Sequence, residues 1–408
     1  MTSRFATLTR EQLAVVVPEL LLIGQLIDRS GMAWCISAFG RDVMGEIAIE
    51  EWAGASPIYA KRMQRALGFE GDDVVTIIKG LQLDIGAPPQ FMDFRYTIRS
   101  PWHAEFRLDH CGALLDVEPM GEDYVKVMCH DIEDPTFDAT AAATNPKAQF
   151  RPIHRPPRVP ADRTPHCAWT IIIDESHPEV EHLPPYHHVI TKHAASLELD
   201  PIDPTDEGRA DYSGPLLSDL DFGAFSHSAL VRIADEVCVQ MHLLSLSYAH
   251  AVRQRATDEH QTRGIARSCL VGLAGIAAER LHRALGLPAD EKGALRTLEL
   301  HPLLNPAAYV DADVAADSVT VRPSLAHADG DSWITLVDPA NPAALQAIVR
   351  AVDPHLDVDL TGPADGWTAR VVRREEPARE AKEVEVTRFS AGARFSFEPR
   401  RSLPITPL

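Results

Sequence analysis

The chain has 408 residues, 45% hydrophobic and 24% charged, enough for two globular units each with its own core. Its formal net charge of −20 argues against nucleic acid and anionic membranes, which need basic patches. Six cysteines are too few for a disulfide scaffold, and no basic segment with a cleavage site opens the chain, so a cytoplasmic protein is expected.

The first ~90 residues read as helices. The run Leu13 to Ile27 is the most apolar early stretch, but it carries Pro18, Glu19 and Gln25 and is too short to span a bilayer. It belongs to a helix Gln12–Asp28 that ends at Ser30–Gly31. A second helix covers Ser37–Trp52. A third starts at Ser56–Pro57, with a cap and a proline at the first helical position, and closes at Gly68. Asp72 or Asp73 caps a fourth, Val74–Asp84.

After Pro88–Pro89 the period changes from 3.6 to 2. Met92–Arg99 and His103–Cys111 read as a hairpin, and Tyr124–His130 as a third strand. Asp134–Pro135 starts a short helix to about Thr144. Gln149–His154 and Cys167–Asp174 are further strands. Residues 175–225 are rich in Pro, His and Asp and lack periodicity. Helices resume at Ser228–Ala256 and Arg263–Leu285.

The order then recurs. Arg283-Ala-Leu-Gly-Leu287 echoes Arg65-Ala-Leu-Gly-Phe69, and Trp333–Val337 echoes Tyr124–Met128 as a strand. Asn341–Pro342 starts a helix as Asp134–Pro135 does, and strands His355–Leu360 and Trp367–Val372 follow. The expected fold is α+β, with two tandem, pseudo-symmetric copies of a helices-then-small-sheet unit. Residues 1–176 form the first copy, 177–225 a linker or long loop, and 226–408 a degenerate second copy.

Three cysteines sit directly beside a histidine: His110–Cys111, Cys129–His130 and His166–Cys167. All lie in the first copy, and none recurs as His or Cys in the second. Thiolate and imidazole are ligands for zinc or iron, and they also make nucleophile–base pairs. Strand alternation sorts the six into an apolar set (His110, Cys129, Cys167) and a polar set (Cys111, His130, His166). The polar set suggests a metal site with an open position. The competing reading is plain core thiols and solvated histidines.

Cys129-His-Asp-Ile-Glu-Asp-Pro135 packs a thiol, an imidazole and three carboxylates into seven residues at an expected strand-to-helix turn. Cys129, His130, Asp131 and Glu133 are the expected catalytic groups. Cys111, His130, His166, His110 and Cys167 are the expected metal ligands. The chain lacks Walker A, Gly-x-Ser-x-Gly and Gly-x-Gly-x-x-Gly sequences, so nucleotide-dependent chemistry is not expected. Glu46 and Glu50 on one helix, Glu279 with His282, and the histidines His187, His188 and His193 are weaker candidates.

The block from about Ala48 to Asp174 resembles the L-2-amino-thiazoline-4-carboxylic acid hydrolase-like family of bacterial proteins. The residues that carry this are Arg65-Ala-Leu-Gly-Phe69, Cys129-His-Asp-Ile-Glu-Asp-Pro135, Asn145–Pro146 and His166–Cys167. The resemblance covers about a third of the chain and implies a hydrolase acting on a C–N or C–S bond of a small ring. The same outline also looks like vinyl-reductase-type domains, which bind small hydrophobic molecules without chemistry. The expected function is therefore a small-molecule hydrolase using the Cys/His/acid cluster or a metal-activated water. The alternative is a non-catalytic ligand-binding or accessory protein with a pocket between the copies. A small molecule is the expected partner, and a homodimer is compatible with either reading.

Overall fold

The computed structural model describes residues 2–408. Two long helices open it: α1 (Arg10–Phe39) and α2 (Arg41–Ala66). They are split at Gly40, whose φ of +86° suits glycine. Thr9 and Gln12 form a capping box at the start of α1. After α3 (Val74–Leu81) come strands β1 (Met92–Ser100) and β2 (His103–Cys111). Next are α4 (Gly112–Val117) and α5 (Glu122–Lys126), then a π-helix, Val127–Ile132, that runs straight into α6 (Glu133–Ala142). Strands β3 (Ala148–His154) and β4 (Cys167–Ile173) complete the first sheet.

A largely irregular stretch carries α7 (Pro184–Val189). Two more long helices follow, α8 (His227–Arg253) and α9 (Glu259–Leu285), then α10 (Glu291–Leu300). The second sheet has β5 (Ala312–Val314), β6 (Ser318–Val321), β7 (Leu356–Thr361) and β8 (Thr368–Arg373), with α11 (Leu325–Ala328) and α12 (Ala343–Val352) between β6 and β7. Helices α13 (Lys382–Arg388) and α14 (Ala391–Arg394) precede a tail that crosses the first half. There Ile405 N–H donates to Leu216 at 2.8 Å.

The α+β class is as expected. Both sheets are four-stranded and antiparallel, with orders β1-β2-β4-β3 and β5-β6-β8-β7. Helices α1 and α2 pack against α8 and α9, so one hydrophobic core takes residues from both halves. A second core lies under the first sheet, around Phe106, Phe150 and Trp169. Among the described residues, no helix is long and apolar enough to cross a membrane.

Four element expectations are corrected. Helix α1 does not stop at Ser30–Gly31. Ser30 Oγ donates to the Cys269 carbonyl at 2.7 Å, and a Cβ at Gly31 would lie 2.9 Å from the Tyr248 ring, so these small residues serve helix crossing. Helix α2 runs through Pro57 rather than starting there. Packing on α8 outweighs the lost hydrogen bond.

Residues 124–130 are helical, not a strand. Val125 and Cys129 enter the sheet core while Val127 and Ile132 enter the central core. A helix buried on opposite faces shows apolar residues two apart, which imitates strand alternation. Trp333–Leu336 is likewise a 3₁₀ turn, buried all round, instead of a strand.

Candidate functional site

The wide turn at Val127–Ile132 forms one wall of a buried chamber, and such π segments frequently mark functional sites. Helix α1 contributes Gln25, Asp28 and Arg29, α2 contributes Trp52 and Tyr59, and α6 contributes Glu133, Thr136 and Thr140. The loop between α3 and β1 supplies Asp84. The chamber has a volume of about 80 Å³.

Its polar groups are few, buried and incompletely paired. Asp84, 5% exposed, accepts from the Tyr59 hydroxyl at 2.9 Å and from the Gly86 N–H at 2.7 Å. Burial pushes its carboxyl up to about 6, against the pull of those two donors. Glu133 has a buried Oε2 with no hydrogen-bond partner. Burial, and then the charge of Asp134, raise its pKa to about 8, with Arg155 opposing. Arg29 pairs with Asp28, and its Nε has no partner. Gln25 is 4% exposed, and its Oε1 is unpartnered too. Beside Arg29 lies Glu51, fully buried, with neither oxygen hydrogen-bonded. Burial raises its pKa, and only the Arg29 charge opposes. Unsatisfied buried polar atoms are uncommon in folded proteins, and five of them, on three residues lining the chamber and on the neighbouring Glu51, set it apart from an ordinary core.

A larger cleft of about 600 Å³ lies on the other side of the α3–β1 loop, between β1 and residues 395–400. Its charged walls are mostly paired, as where Arg400 meets Asp93 and Arg280 meets Glu19, each at 2.6 Å. The chamber, with two carboxyls titrating apart, is the better place for chemistry.

The structure places the sequence candidates as follows. Cys111, Cys129 and Cys167 all lie in the core under the first sheet, each 4% exposed or less, and all feel the Glu133 charge. Cys111 therefore joins the core set, contrary to simple alternation. Leu108 pairs with Phe94 but Cys111 with Met92, a bulge of one residue that turns Cys111 inward. Its Sγ accepts from Leu114 N–H at 3.4 Å and so caps α4.

Burial raises all three thiols, Cys111 to about 12. Cys129 lies inside a continuous helix, not at the expected strand-to-helix turn, so no helix N-terminus faces its thiol. His110 and His166 meet, with ring centroids 6.2 Å apart, while His130 Nε2 faces the Pro156 carbonyl at 2.7 Å. Asp131 is exposed. Among the described residues, no three His, Cys, Asp or Glu side chains are grouped as metal ligands.

Glu133 is thus the one expected catalytic residue that lines the chamber. Gln25, Asp28, Arg29, Glu51, Tyr59 and Asp84 were not among the expected site residues. For Gln25, Asp28 and Arg29 the signal is polar side chains set in an apolar helix, as in Leu20–Ile27 followed by Asp28–Arg29; Glu51, Tyr59 and the loop residue Asp84 carry no comparable signal. Compared with family models, curated proteins and solved structures, the chain matches none.

Proposed function

We propose that the chain is a small-molecule hydrolase acting on a C–N or C–S bond, with carboxylates rather than thiols as the working groups. The carrying observation is that Asp84 and Glu133 line one buried chamber with pKa values near 6 and near 8. At neutral pH the first is mostly ionised and the second mostly protonated. Asp84 takes a proton from water as it attacks, and Glu133 gives one to the departing nitrogen or sulfur. Arg29 and the Gln25 amide orient the polar end of the substrate. The resemblance of residues 48–174 to thiazoline carboxylate hydrolases agrees with this reaction class.

The test is release of amine or thiol from a panel of small cyclic amides, thiazolines and thiolactones across pH 5 to 9. Turnover should peak near pH 7, with limbs near 6 and 8. Asp84→Asn and Glu133→Gln should each lower kcat by about a hundredfold or more. Activity untouched by both substitutions would sink the proposal.

A second reading, ligand binding without chemistry, is favoured by the apolar cavity adjoining the chamber. It predicts saturable binding with no turnover by any panel member.

We also infer that the two halves arose by tandem duplication. The shared strand order and the placement of α6 and α12 in the chain between the second and third strands of each sheet support this. Aligning Asp134–Pro135 with Asn341–Pro342 puts Ala340 opposite Glu133, so the second copy lacks the acid.

A further inference from the structure

Four of the chain's eight methionines, Met32, Met44, Met120 and Met128, line a single cavity of about 170 Å³. Its other apolar walls include Ile36, Val117, Val127 and Ile132. Arg29, Met128 and Ile132 also line the Asp84 chamber, so the two cavities share a wall. Methionine is flexible and polarizable, and it adapts to a guest better than branched side chains do.

Most polar groups at the edge of this lobe are already occupied. Asp116 accepts from Ser390 Oγ at 2.6 Å and from Ala391 N–H at 2.8 Å, and Thr387 Oγ1 donates to Ser30 Oγ at 2.9 Å. A site this short of free polar partners holds water poorly. Its outer wall is the segment Val386 to Ser390, where Phe389 stands 91% exposed. A phenylalanine so exposed gains a partner once an apolar group enters beneath it.

We propose that this lobe is the subsite for an apolar ring of roughly benzene size, since a cavity of about 150 Å³ accepts benzene. The ring belongs to the same molecule whose polar end occupies the Asp84–Glu133 chamber. The substrate class is therefore a small amphipathic molecule, a reactive C–N or C–S group bearing one aromatic or alicyclic ring. Residues 386–390 form the lip over which it enters. This assignment rests on the chamber being the reacting site, and its test reads binding without turnover.

Benzene and benzamide serve as probes, titrated into the full chain by ligand-observed NMR. Benzene should bind the wild type. Ala33→Phe, which places a ring in the lobe from the half-buried face of α1, should weaken it by about tenfold or more. Phe389→Ala removes only an exposed side chain, leaves the fold intact, and should weaken benzene by about threefold. Benzamide should bind more tightly than benzene, and Asp84→Asn should alter that difference.

No benzene binding to the wild type, or equal binding to Ala33→Phe, overturns the subsite while leaving the pH profile of the chamber to stand. Benzene binding with no gain for benzamide overturns occupancy of both cavities by one molecule. Loss of the two pH limbs with benzene binding intact would instead refute the chamber chemistry.

Discussion

Glu133 holds its proton at neutral pH because burial withdraws its carboxyl from solvent and no protein donor reaches its inner oxygen. A carboxyl raised in the folded state binds a proton that the unfolded chain has already lost. Its stabilising contribution is present in full below the unfolded value near 4.5 and is lost as pH rises through about 8. Glu133→Gln keeps the shape and removes the titration. The variant should match the wild type at pH 4 and exceed it at pH 9 in urea-unfolding free energy. Equal stability at both pH values would mean that the carboxylate finds solvent.

The thiols give a second residue-scale prediction. Cys111, Cys129 and Cys167 are buried with raised pKa values, so the folded protein should resist iodoacetamide from pH 6 to 8.5, with or without chelator. Fast labelling of Cys129 in that range would restore it as a nucleophile. The density of chemistry in residues 129–135 was legible in the sequence, and it led to Glu133. Which residue of that segment reaches the chamber was not, because this depends on the π turn. The face of Cys111 was not legible, because a one-residue bulge turns it into the core instead of the outer face expected for it with His130 and His166.

At the scale of elements, the sequence identified β1 to β4, β7, β8 and the long helices α8 and α9 closely, the strands by their alternation and the helices, which are buried on nearly every side, by the length of their apolar runs. It failed where an element is buried on two sides. Residues 124–132 send apolar side chains into both cores with only Lys126 and Asp131 exposed, and 333–337 is a short turn sunk in one core, so neither apolar pattern shows a helical period. Small residues misled in a related way. Ser30, Gly31 and Ser56–Pro57 read as helix ends, yet they sit mid-helix where neighbours approach closely.

Gly24 on α1 is another such contact. A Cβ there would lie 2.4 Å from Ile85 Cγ2, on the loop that carries Asp84. Gly24→Ala should cost about 1–3 kcal/mol by overpacking. It should also displace the loop, so that the acid limb of any pH–rate profile moves while the Glu133 limb stays. A variant as stable as wild type with an unshifted limb would show that the loop yields freely.

Across the whole molecule, several buried carboxyls share the behaviour of Glu133. Asp84 titrates near 6 and Asp235 near 7, and Glu19 and Glu51 are also raised, each with burial as the first cause. Above pH 6.5 each such group that still holds a proton the unfolded chain has lost, Glu133 first among them, subtracts from stability by up to about 1.4 kcal/mol per pH unit until it ionises. Two buried histidines act oppositely, but at lower pH. Burial lowers His242 to about 4 and His301 to about 3, so their contribution is complete above the ordinary histidine value and is lost as pH falls through those values.

The net charge of −20 adds self-repulsion that grows as the remaining acids ionise. Both effects point one way, so Tm should fall between pH 6.5 and 8.5. Added salt separates them, because it screens surface charges and leaves buried carboxyls unscreened. In 0.5 M salt the fall should shrink but persist, and Glu133→Gln should reduce what remains. A Tm that is flat or rising across this range, or a fall that salt abolishes entirely, would show that the buried carboxyls are not protonated in the folded chain. The acid role assigned to Glu133 would then have no physical basis.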